Sequence, residues 1–112
     1  MMTIPSRGDL IWLDFDPQAG REQAGCRPAI VLSEFDFNEL TGFAWVCPIT
    51  NQTKNYAFEV ALPEGLQING VVLTDQLKSL DVNKRKIKVV GHLPIDSDPM
   101  KQILRNTRSI LA

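Results

Sequence analysis

Six short β-favouring segments, none longer than eight residues, limit this 112-residue chain to a small and much-bent sheet. They run from Asp9 to Asp16, Pro28 to Ser33, Gly42 to Ile49, Ala57 to Leu62, Gly70 to Thr74 and Ile87 to Val90. In the first, Ile11, Leu13 and Phe15 fall on one side and Leu10 and Trp12 on the other, which predicts a strand buried mostly on one face. Pro17 ends it. Phe43, Trp45 and Cys47 alternate in the third segment, and Phe58, Val60 and Leu62 in the fourth. Turn residues Asn69-Gly70 and Asp81-Val82-Asn83 lie beside the later ones. Repeated short strands of this kind predict a barrel or a tightly bent sheet.

The period changes near the end. Met100, Ile103, Leu104, Thr107, Ile110 and Leu111 recur at helical spacing and form one apolar face. Ser97 or Asp98 can cap this helix, Pro99 suits its first turn, and Arg105 and Arg108 stand towards its negative end. A single helical turn is also expected from Glu34 to Leu40, with Ser33 as its N-cap. The chain shows no internal repeat or linker, so residues 1–112 read as one domain, mainly β with a C-terminal α-helix.

Composition narrows the class further. The longest apolar strings, such as Ala29-Ile30-Val31-Leu32, fall far short of the ~18 residues of a membrane span. Met1 to Arg7 lacks the apolar core of a secretion signal, so a cytoplasmic protein with no membrane partner is expected. Cys26 and Cys47 are too few for a disulfide scaffold and read as free thiols. With a net charge of −1, any nucleic-acid site must be a local basic patch. Arg21, Arg27 and Lys54 are candidates, and Lys84-Arg85-Lys86 with Lys88 could equally be a charged turn and protected edge strand.

The chemistry open to the chain is restricted. His92 is the single histidine, which excludes a two-histidine ribonuclease mechanism, and it reads as a solvent-facing or capping residue. No grouping of His, Cys and carboxylates has metal-ligand spacing; Asp9, Asp14 and Asp16 alternate along one strand as a solvated face would. The polar stretch from Gln18 to Gly25 holds two glycines and no apolar period, and a long loop in so small a domain points to function. Arg27 follows that loop and precedes Pro28, so its backbone is held extended as the chain enters the next strand. Its guanidinium offers five donors in a planar fork and suits a phosphate gaining charge; a surface ion pair is the ordinary alternative.

The order of residues adds to this. Gly8-Asp9-Leu10-Ile11-Trp12, Asp16-Pro17, Gly20, Glu22-Gln23, Gly25 and Arg27-Pro28-Ala29-Ile30-Val31-Leu32-Ser33 together closely resemble the signature of the MazF/PemK family of toxin endoribonucleases. Asn38 with Thr41-Gly42, Pro48-Ile49-Thr50, Phe58-Glu59-Val60, Gly70-Val71-Val72, Asp75-Gln76 and the closing helix continue the resemblance over nearly the whole chain.

The resemblance implies an SH3-like β-barrel with a C-terminal helix, a homodimer, and cleavage of single-stranded messenger RNA until a cognate antitoxin blocks it. It implies a reaction without metal or cofactor, in which the RNA's own 2′-hydroxyl attacks to leave a 2′,3′-cyclic phosphate and a 5′-hydroxyl. The catalytic arginine of the family falls on Arg27 and its catalytic threonine on Thr50. Glu22 is the candidate helper in proton transfer, and the group that accepts the 2′-hydroxyl proton stays open. Arg21, Gln23, Lys54, Asp75 and Gln76 are the candidate RNA contacts. Arg21 and Leu73 stand where the PemK branch has histidine and arginine, which sets this chain closer to the MazF branch. The alternatives are a gyrase poison of the CcdB type, disfavoured because Ser109-Ile110-Leu111-Ala112 lacks that family's Trp-Gly-Ile tail, and a non-catalytic barrel that binds RNA or a peptide.

Overall fold

The computed structural model describes residues 3–15 and 25–111. Strands β1 (Asp9–Phe15), β2 (Gly25–Val31), β3 (Phe43–Thr50), β4 (Glu59–Ala61), β5 (Val71–Leu73), β6 (Lys78–Asp81) and β7 (Ile87–His92) alternate with helices α1 (Phe35–Thr41) and α2 (Asp98–Leu111). The strands pair antiparallel in the order β4-β5-β3-β2-β1-β7, and β6 lies beside β3 off this path.

β3 is where the sheet turns on itself. Along one edge its residues Phe43 to Val46 pair with β6, and its residues Ile49 and Thr50 pair with β5. Pro48, which has no N–H to offer a ladder, falls in the gap where the partner changes. A second irregularity lies between β1 and β7, where the register shifts between Leu10 and Ile11 and leaves Val90 as an extra residue. Such a bulge bends a strand and increases its twist.

The bent sheet buries residues on both of its faces. Leu10, Ile30, Cys47, Ile49 and Val72 form one core with Met100 and Ile103 of α2. Ile11, Leu13, Ala29, Val31, Ala44 and Val46 form a second with Leu80 and Val82. The expectation that β1 is buried mostly on one face is therefore corrected: Leu10, Ile11 and Leu13 are all fully buried, because α2 covers one side and the curled sheet the other. Full burial of each such side chain contributes about 1.5–3 kcal/mol.

The helices carry two further differences. Ser33 is not the N-cap of α1; Glu34 holds that position without a side-chain bond. The Ser33 hydroxyl instead donates to Asn38 Oδ1 and accepts the Trp45 N–H at 2.8 Å, joining α1 to β3. Asn38 is fully buried and completes its bonding by donating Nδ2 to the carbonyls of Pro5 and Ser33. In α2, Ser97 does stand at the N-terminus and accepts the Met100 N–H, while Ile110 and Leu111 lie half or more exposed, outside the core that takes Met100 and Ile103.

Candidate active site

Arg27 lies inside β2, opposite Leu13 of β1, and not ahead of the strand as expected from its place before Pro28. Alternation along β2 sets Arg27 on the same face as Ala29 and Val31, but beyond the end of their core, where it is exposed. Thr50 is the last residue of β3 and shares the corresponding face with Val46 and Ala44. The β2–β3 ladder runs Val31↔Val46, Ile30↔Cys47, Ala29↔Pro48, and Arg27 and Thr50 each lie two residues beyond its last pair. A guanidinium and a hydroxyl far apart in sequence thus stand on adjacent strands, at one end and on one face of the sheet.

Thr50 is held on several sides. Its backbone pairs with Val71 of β5, and its Oγ1 accepts the N–H of Gln52 at 3.1 Å. That bond uses a lone pair and leaves the hydroxyl proton to be donated. Behind it lies Gly70, with φ of +127°, so close that an added Cβ would overlap the Thr50 carbonyl oxygen and stand 2.9 Å from its carbonyl carbon. Only glycine accommodates both this backbone conformation and this approach.

Residues 51–58 connect Thr50 to β4, and Lys54 is exposed on this segment. Glu59, the first residue of β4, accepts hydrogen bonds from the Thr53 hydroxyl, from the Lys54 N–H at 2.8 Å and from the Asn55 N–H at 3.1 Å. These donors, the Thr53 hydroxyl first, hold the Glu59 carboxyl below the usual carboxylate range. Asp75 does not stand alone as an RNA contact: its Oδ1 accepts the Tyr56 phenol at 2.7 Å, which pushes the phenol up to about 12. Gln76 is exposed one residue on, its N–H turned back to the Leu73 carbonyl.

Arg21, Glu22 and Gln23 lie outside the described residues. His92 is exposed, as expected, and its Nδ1 lies 2.9 Å from Asp9 Oδ1. Asp9 begins β1, four residues before Leu13, so this pair stands ~13 Å along the strand from Arg27. Cys47 is a buried free thiol in the core shared with α2, pushed up to about 12 by burial and then by the Asp75 carboxylate. Among the described residues, no three His, Cys, Asp or Glu side chains come together as metal ligands. No described helix is long and apolar enough to cross a membrane.

Three residues that shape this end of the sheet carry no signal of that in the sequence. Glu59 and Tyr56 enter through their hydrogen bonds and Gly70 through its close approach to Thr50, contacts that exist only after folding. Alternation with Phe58 and Val60 was the available signal for Glu59, since it sends the carboxylate to the solvent side.

The arrangement can be set beside known proteins. Over 77 residues the chain is 54% identical to the endoribonuclease toxin MazF of Escherichia coli K12, covering 69% of this chain and 68% of the relative. It is 32% identical over 109 residues to the E. coli endoribonuclease PemK, covering 94% of this chain and 80% of that one. In three dimensions it matches a crystal structure of MazE-MazF from Deinococcus radiodurans with a TM-score of 0.88 and 42% identity, over 97% of this chain and 96% of that one. The model of the PemK-like, MazF-like toxins of type II toxin-antitoxin systems matches residues 6–111, a span that holds Arg27, Thr50, Gly70 and the bent sheet that brings them together. The chain belongs to that family.

Proposed function

We propose that this chain is an endoribonuclease, the toxin of a toxin-antitoxin pair, and that Arg27 and Thr50 carry its chemistry on single-stranded RNA. The observation that supports the reading most directly is that β2 and β3 present these two side chains on one face at one end of the sheet. A guanidinium and a hydroxyl donor suit a reaction whose difficulty is charge accumulating on phosphate oxygens. The RNA 2′-hydroxyl attacks the adjacent phosphorus, the bond from phosphorus to O2′ forms, and the bond to O5′ breaks. Arg27 stabilises the charge on the non-bridging oxygens, and Thr50 donates its hydroxyl to one of them. The departing O5′ takes up a proton and the 2′-hydroxyl gives one up, leaving a 2′,3′-cyclic phosphate and a 5′-hydroxyl. A guanidinium in water keeps its proton, so Glu22 is the candidate helper in proton transfer, and the group that accepts the 2′-hydroxyl proton stays open.

Arg21, Gln23, Lys54, Asp75 and Gln76 are proposed to contact the RNA around this centre, with no metal or cofactor in the reaction. We further infer a single toxin domain over residues 1–112, working in the cytoplasm as a homodimer. Its antitoxin blocks RNA by laying an acidic segment over Arg27 and its neighbours. The test is cleavage of a mixed-sequence RNA in excess chelator, with mapping of the cut ends. Wild-type protein should cut, and Arg27→Ala should lower the rate ~10²–10³-fold at an unchanged melting temperature, since the side chain is exposed. Intact RNA after incubation with folded wild-type protein would overturn the assignment.

A further inference from the structure

The segment 51–58 follows Thr50 directly and lies outside the strands, yet a network of side-chain bonds gives it a defined shape. Its first link is the bond from the Gln52 N–H to Thr50 Oγ1. Its last is the Tyr56 phenol on Asp75, beyond the end of β5. Between them the organising group is the Glu59 carboxylate. Oε1 accepts the Thr53 hydroxyl and the Asn55 N–H, and Oε2 accepts the Lys54 N–H. Asn55 is the one described residue other than glycine with positive φ, +56°, and that turn lets successive backbone N–H groups converge on a single anion.

Two features separate this carboxylate from an ordinary surface glutamate. Its hydrogen bonds all go to residues 53–55, so its influence is concentrated on the segment that carries Lys54. Its negative charge is also answered by three donors, which lets a carboxylate sit near the path of a polyanion with less repulsion.

We propose that Glu59 is a positioning residue for substrate binding: it shapes residues 53–55 so that Lys54 meets the RNA backbone beside Thr50. This rests on the ribonuclease reading above. Glu59 touches neither the scissile phosphate nor the reacting oxygens, so its effect falls on binding and not on the chemical step.

The experiment compares steady-state cleavage of one defined oligonucleotide by wild-type protein, Glu59→Gln, Thr53→Val and Glu64→Gln, with a thermal melt of each. Glutamine keeps the size of the side chain but turns one acceptor into a donor facing the Lys54 N–H. Glu59→Gln should raise KM about tenfold with kcat within about twofold of wild type and a melting temperature close to it. Thr53→Val removes one donor and should move KM the same way by less. Glu64→Gln, on an exposed glutamate of the neighbouring turn, should change neither constant. Lys54→Ala should raise KM alone, and adding Glu59→Gln to it should bring little further loss.

An unchanged KM in Glu59→Gln, with wild-type protein cutting normally, overturns the proposal. A fall in kcat at constant KM does so as well, and points to a part in the chemistry. Equal damage to KM, kcat and melting temperature reduces Glu59 to a structural role. Full additivity of the Lys54 and Glu59 changes also defeats it. If wild-type protein itself leaves the oligonucleotide intact, the ribonuclease reading fails and takes this inference with it.

Discussion

Gly70 shows how much can depend on the absence of one atom. With φ of +127° and the Thr50 carbonyl occupying the space a Cβ would need, it lets β5 approach β3 closely enough to clamp Thr50. Gly70→Ala should destabilise the fold by more than ~1 kcal/mol and lower cleavage further than that loss explains, because relief of the overlap must move the Thr50 backbone. Thermal melts and initial cleavage rates check this; full activity at wild-type stability would show the contact to be compliant. The sequence marks Asn69-Gly70 as a turn, but not what the turn leans on, since a close approach between residues twenty apart is a product of tertiary pairing. Ser33 teaches the converse. Its residue type and place suit a helix cap, yet β3 brings the Trp45 N–H within 2.8 Å and the hydroxyl is used there instead. Arg27 was legible as a candidate from its place before Pro28 and from the surrounding signature, whereas its alignment with Thr50 needed the β2–β3 register.

The elements most readable in the sequence are those with strong periodicity. The helix from Asp98 to Leu111 announces itself through Met100, Ile103 and Thr107, all buried. β1 and β3 are marked by their length and apolar content. β6 was missed, because Lys78-Ser79-Leu80-Asp81 holds a single large apolar residue and becomes a strand only by pairing with Phe43 to Val46. The segment 51–58 has no periodicity to read; its order comes from Glu59 and Tyr56. A pH dependence follows for it. The folded-state pKa of Glu59 is lowered, so its contribution is present above the unfolded value near 4.5 and is lost as pH falls through the folded one. Lys54, positively charged beside it, reinforces the ionised form, and the neutral Tyr56 phenol bonds Asp75 and does not compete. The amide chemical shifts of Lys54 and Asn55 should hold steady down to about pH 4.5 and then move together below it. Independent movement, or movement well above that pH, would mean that Glu59 is not the shared anchor.

At the scale of the whole molecule, the sheet spends its large apolar residues on two cores and still leaves several outside. Phe37, Trp45 and Leu77 are each more than a third exposed, and Leu111 three-quarters. They line a groove of about 340 Å³ between α1, β3 and the end of α2, with Arg7, Glu34 and Arg108 among the polar groups beside it. Phe37 and Trp45 meet edge to face there, their ring centroids 6.0 Å apart. A monomer in water gains nothing from such a face, and it fits the homodimer proposed above. Sedimentation should give a dimer for wild-type protein, and Trp45→Lys should shift it to monomer at micromolar concentration without loss of secondary structure. A Trp45→Lys dimer as tight as wild type would place the contact elsewhere.

The alignment of β2 with β3 also has a meaning in time. Arg27 and Thr50 are distant along the chain, and Thr50 is secured only when Gly70 and Val71 arrive from further still. During synthesis, Arg27 therefore leaves the ribosome well before the residues that complete its surroundings. A nascent chain holds the parts of the proposed cutting centre without the centre itself. A toxin that acts on messenger RNA would thus be harmless to its own template until most of its sequence has been read.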